Sequence, residues 1–110
     1  MEPHEIITLM KHYRWLEKEP KTSREQIGSS VRYLMLQSNM KAPDLVDAME
    51  EVDHIISYKY IDKKIQEARW TVDDLDVLQK IFDREPGDIT FGYRHLAHQD
   101  EENNERLQAD

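Results

Sequence analysis

The chain has no cysteine, which excludes disulfides, thiolate metal sites and cysteine nucleophiles. Glycine occurs only three times and well apart, so no glycine-rich loop is present to cradle a phosphate. No apolar run is long enough to span a bilayer, and no membrane contact is expected. The opening Met1-Glu2-Pro3-His4-Glu5 is polar and acidic and lacks a signal-peptide pattern, so a cytoplasmic protein is expected. Histidines 4, 12, 54, 95 and 98 are scattered. Only His95 and His98 stand close, at i,i+3, and no carboxylate or cysteine pattern completes a metal site around them. They are expected as exposed tail residues. No catalytic residue, metal site or cofactor is predicted, and the chain is not read as an enzyme.

Basic residues are also in deficit: 15 Lys and Arg stand against 23 Asp and Glu, for a net charge of −8. A uniform deficit would argue against binding nucleic acid. The deficit is not uniform. Residues 21–70 carry eight basic and eight acidic side chains, whereas residues 71–110 carry four and eleven. A neutral segment can still present a basic face, and the acid lies beyond it.

What is present is helical periodicity. Over 110 residues it predicts an all-α domain of five helices with an acidic tail. Glu5 to Glu19 repeats Ile6, Leu9, Met10, Tyr13 and Leu16, and Pro20 closes it. Ser23-Arg24-Glu25-Gln26 reads as a capping box for a second helix, with Ile27, Val31, Leu34 and Met35 inward and the small pair Gly28-Ser29 permitting close packing. Ala42 to Val52 starts on Pro43 and turns Leu45, Ala48, Met49 and Val52 inward. The fourth helix, about 57–66, has Ser57 as its cap and Ile61 and Ile65 as its apolar face. Thr71-Val72-Asp73-Asp74 opens the fifth, with Leu75, Leu78, Ile81 and Phe82 inward. Trp70 is expected to staple that helix start, and Tyr60 to face the core in part. Glu85-Pro86-Gly87-Asp88 is a turn. Ile89-Thr90-Phe91 is expected to be extended, Tyr93 to Ala97 a single helical turn, and the chain from Gln99 frayed or disordered. The boundaries that follow are an N-terminal amphipathic helix, 1–20, a central helical domain, 21–90, and a C-terminal segment with the acidic tail, 91–110.

The order of these pieces resembles the repressor/Cro type of helix-turn-helix domain, the XRE family. The residues that carry the likeness are Ile27-Gly28 with Val31 and Leu34, then Leu45-Val46-Asp47-Ala48-Met49, then Ile56-Ser57 and Ile61 to Gln66. Arg69-Trp70-Thr71-Val72-Asp73-Asp74-Leu75 and Ile81-Phe82 with Glu85-Pro86-Gly87-Asp88-Ile89 complete it. The run KKIQEARWTVDDL followed by REPGDI is most similar to small phage and actinobacterial regulators of that class. The resemblance implies a lambda-repressor-like fold and a DNA-binding transcriptional regulator, with helix 57–66 reading the major groove.

On that reading Ser57, Tyr58, Lys59, Asp62 and Lys63 face the DNA. Lys64 and Arg69 flank it on the backbone, and Lys41 reaches phosphate from the start of the preceding helix. Such readers act as dimers, and Trp15, Phe91, Tyr93 and Leu96 are the expected homodimer or partner surface. The acidic tail would compete with phosphate for the basic face. The alternative is a helix-turn-helix scaffold used as an acidic module that binds another regulator or a basic protein. The acidic helix 42–52, and a turn after it longer than is usual in the family, favour it.

Overall fold

The computed structural model describes residues 1–85 and 87–109, with side chains in the last helix described through 106. Pro86 of the expected turn, Asp110, and the side chain of the late Leu107 lie outside the described residues. Six α-helices and one 3-10 turn make up the described chain, with no strand among them. They are α1 (Pro3–His12), α2 (Ser23–Gln37), α3 (Ala42–Glu51), α4 (Tyr58–Glu67), α5 (Val72–Ile81), the 3-10 turn Asp88–Phe91, and α6 (Tyr93–Ala109). The all-α expectation is met. No described helix is long and apolar enough to cross a membrane.

α1 is shorter than its periodicity predicts. The helix stops at His12 because Arg14 turns left-handed (φ 61°), and the Trp15 N–H donates back to the Met10 carbonyl at 2.7 Å. That reversal buries Leu16 and leaves Tyr13, expected inward, 54% exposed. α2 starts one residue earlier than expected. Thr22, not Ser23, is the cap: its hydroxyl accepts from the Glu25 N–H at 3.1 Å, and its own N–H donates to the Glu25 carboxylate. Gln26 is thereby free to donate to the Pro20 carbonyl instead. α3 ends at Glu51, and Val52 is exposed rather than inward. Ser57 occupies the cap position of α4 without a side-chain cap bond. Thr71 caps α5 as expected, in a reciprocal pair with Asp74.

The C-terminal third differs most. Ile89-Thr90-Phe91 is a 3-10 turn rather than an extended piece, with Ile89 fully buried. The single turn expected at Tyr93 is the start of a helix running to Ala109. Two contacts explain the extension. Leu96 and Ala97 sit in the core, and the Asp100 carboxylate accepts from the Tyr33 hydroxyl at 2.7 Å and from Arg84 at 3.0 Å. α2 is the centre of the packing, in contact with α1, α4, α6 and the 3-10 turn. One buried cluster runs through Ile6, Met10, Tyr33, Leu34, Ile89 and Leu96, and reaches Leu45, Met49, Ile61 and Ile65 on the other side of α2.

Candidate nucleic-acid interface

α3 and α4 form two short helices joined through residues 52–57, and α4 carries most of the expected contacts. Its sequence YKYIDKKIQE offers only Ile61 and Ile65 to the core. Two buried isoleucines contribute about 1.5–3 kcal/mol each, which alone would hold a ten-residue helix weakly. Two polar clamps on its C-terminal half supply the rest. At the C-terminal end Arg24 donates to the Glu67 carbonyl, and Arg32 donates to the carbonyls of Ile65 (2.9 Å) and Gln66 (3.0 Å). These are among the carbonyls a helix end leaves without internal partners, where positive charge is favoured. Arg32 also donates to the Trp15 carbonyl at 2.8 Å, so one guanidinium ties α2, the α1–α2 linker and α4 together.

The second clamp is Asp74, 2% exposed at the start of α5. Its carboxylate accepts from Lys64 of α4, from the Thr71 N–H at 2.9 Å, and meets His54 Nε2 at 2.7 Å. Burial alone would raise the Asp74 carboxyl; the bonds from Lys64, Thr71 and His54 outweigh it and hold the group below the usual carboxylate range. The α3–α4 turn, α4 and α5 therefore meet at one buried charge.

N-terminal to the clamps the outer face of α4 is free. Ser57, Tyr58, Lys59, Asp62 and Lys63 are all exposed on it, and no acid stands in its first turn. Lys59 and Lys63 are one helical turn apart, and neither is within ion-pairing distance of an acid among the described residues. Tyr60 is 58% exposed and joins this face, against the expectation that it turns inward in part. The Tyr58 hydroxyl donates to Asp47 of α3 at 3.1 Å, and that bond raises it above the ordinary phenol value. Lys41 is exposed at the cap of α3, its backbone N–H held by Asp44.

Two of the expected backbone contacts are otherwise engaged. Lys64 is largely buried, bound to Asp74 and to the Arg69 carbonyl, with its ammonium 5.9 Å from the centre of the Trp70 ring. It positions the helix rather than reaching outward. Arg69 is exposed but pairs with Glu67 at 2.8 Å. Two residues of the expected partner surface are likewise engaged elsewhere. Tyr93 and Leu96 are buried core residues, because α6 turns that face onto α2; Trp15 is half-buried under Arg32, and only Phe91 stands exposed. His95 is not a free tail residue but lies 3.1 Å from Asp88.

Arg24, Arg32, Asp74 and His54 were not legible as functional from sequence. Each acts on a backbone or a charge distant in the chain, and only the capping role of Asp74 has a local signature. Comparison of the chain with protein-family models, with curated proteins and with solved structures gave no match.

Proposed function

We propose that the protein binds double-stranded DNA as a helix-turn-helix regulator of the repressor/Cro type, with α4 as the reading helix. The observation that carries this is the mounting of α4. Two isoleucines and two polar clamps fix it at its back and along its C-terminal half, and its N-terminal turn and outer face are left to solvent. A rigid helix presented this way suits insertion into a major groove. Lys59 and Lys63 supply cations for phosphate or guanine, Asp62 an acceptor for a cytosine amine, and Ser57, Tyr58 and Lys41 contacts to the backbone. Dimeric binding to two half-sites belongs to the same proposal.

The test is binding to random-sequence and genomic duplex fragments across a salt series, for the wild type and Lys59→Ala/Lys63→Ala. Each lost phosphate contact makes the salt dependence shallower by about one unit of log–log slope. Selective binding lost by the double variant supports the proposal; no binding at low salt removes it.

A second reading has its own observation. Ile55 is 82% exposed in the α3–α4 turn, beside exposed Val52, and α3 with the turn carries Asp44, Asp47, Glu50, Glu51 and Asp53 without a Lys or Arg between Lys41 and Lys59. An acid-flanked apolar ridge suits a basic protein partner. Binding of such a partner that survives Lys59→Ala/Lys63→Ala but not Ile55→Asp would select this reading.

A further inference from the structure

We infer that the linker between α1 and α2 is a second DNA-contacting segment, in which Tyr13 and Arg14 hold the sugar-phosphate strand beside the one that α4 addresses. The inference rests on the DNA reading of α4 and extends it to residues outside the helix-turn-helix.

Three observations carry it. The first is a groove of about 360 Å³ that opens along one side of α4. Tyr13 and Trp15 of the linker line it together with Asn39, Lys41, Asp62 and Gln66, and Arg14 stands between the two linker residues in sequence without lining it. The floor is apolar, with Met35 and Ile65 buried beneath it. A groove with an apolar floor and donors at its rim matches a deoxyribose-phosphate strand, whose sugars are apolar and whose phosphates accept hydrogen bonds. The side chains of Asn39, Lys41 and Gln66 make no hydrogen bond to another described residue, so their donors are available. Asp62 lies at the same rim and would repel a phosphate placed next to it, so the strand must run on the linker side of the groove.

The second observation is that the linker cannot drift from α4. Arg32 donates at once to the Trp15 carbonyl and to the carbonyls of Ile65 and Gln66. Arg14 is set by a left-handed backbone (φ 61°), a conformation that ordinarily costs a non-glycine residue stability. The resulting reversal places Tyr13 in the solvent, its ring 6.3 Å from that of Trp15. A tyrosine hydroxyl and a guanidinium are both good phosphate donors.

The third observation is charge. Residues 11–21 contain Lys11, Arg14, Lys18 and Lys21 against Glu17 and Glu19, in a chain of net charge −8. Glu19 is itself held by Arg94 at 2.7 Å and by the Tyr93 hydroxyl. Arg14 has no ion pair among the described residues. The segment that carries Tyr13 is therefore locally basic, with Arg14 the unpaired cation next to it in sequence, and such charge favours a phosphate strand.

The experiment is fluorescence anisotropy of a labelled random-sequence 25-base-pair duplex across a salt series, with the full chain. Arg14→Ala, Tyr13→Phe and Asn39→Ala are compared with Lys59→Ala/Lys63→Ala and with Arg106→Ala on the far part of α6, and helical circular dichroism shows that each variant folds. The expected result is a salt slope shallower by about one unit for Arg14→Ala, and binding weakened several-fold without a slope change for the uncharged substitutions at 13 and 39. Arg106→Ala behaves as wild type. If the linker variants match wild type while Lys59→Ala/Lys63→Ala loses binding, the inference is overturned and the reading of α4 stands. If the wild type itself does not bind, both fall.

Discussion

At the scale of single residues, Gly28 decides how closely α2 approaches α4. A methyl group added there would stand 2.7 Å from the Ala68 Cβ, inside contact distance, and Ala68 is itself held left-handed at φ 55°. Gly28→Ala is expected to cost about 1–3 kcal/mol by overpacking. Ala68→Gly removes both the clashing carbon and a left-handed alanine, so the double variant should recover most of that loss. Urea titration of the two singles and the double measures it; additive effects would mean that the two sites do not touch. The helix ends share one device. Arg14, Asn39, Asp53, Ala68 and Asp83, just past α1 to α5, are all left-handed, and none is glycine. Helix ends are read from sequence largely by glycine. With that mark absent, the stop at His12 was invisible, and the apolar repeat through Tyr13 and Leu16 extended α1 to Glu19.

At the scale of elements, the Asp74 cluster decides whether the α3–α4 turn, α4 and α5 act as one body. Its carboxyl lies below the ordinary range when folded. A depressed folded value means stabilisation that is complete above the unfolded carboxylate pKa, about 4, and is lost as pH falls through the lower folded value. Asp74→Asn is therefore expected to lower stability at pH 7 by roughly 3 kcal/mol, since it removes the charge opposite Lys64 and leaves one amide oxygen to serve Lys64, His54 and the Thr71 N–H. The difference from wild type should shrink progressively below about pH 4. Denaturant titrations of both proteins from pH 7 to pH 3 check this, and a gap that is constant with pH would show that the carboxylate charge contributes nothing. From sequence, Asp74 was legible as the acid three residues after Thr71, because a capping pair is local. Its bonds to Lys64, ten residues away, and to His54, twenty away, follow only from the packing of α4 on α5. The same limit applied to α4. Its exposed and buried faces followed from the spacing of Ile61 and Ile65, whereas the arginines that clamp its end sit on α2, more than thirty residues earlier.

At the scale of the whole molecule, the question is what the acid of the C-terminal segment does. Composition alone suggested a loose tail competing with phosphate for the basic face. The packing puts α6 against α1, α2 and the 3-10 turn, and its acid works there. Asp100 accepts from Tyr33 and from Arg84, both of which are substantially buried, and Asn104 donates to Glu2. Removing residues after Ala97 would leave the Tyr33 hydroxyl and the Arg84 guanidinium without that partner. Each such orphaned group costs about 1–3 kcal/mol, so this truncation should lower the denaturation midpoint markedly. Ending the chain after Glu102 keeps Asp100 and should cost much less. In the salt-series DNA assay, the shorter loss is expected to leave the slope unchanged, because Glu105 and Arg106 lie on a helix packed on the α1 and α2 side. Tighter binding by the chain ending at Glu102, with unchanged stability, would show instead that the tail reaches the face of α4 and screens it. The two truncations thus separate acid that holds the core from acid that shields a charged surface, a distinction that net charge cannot make.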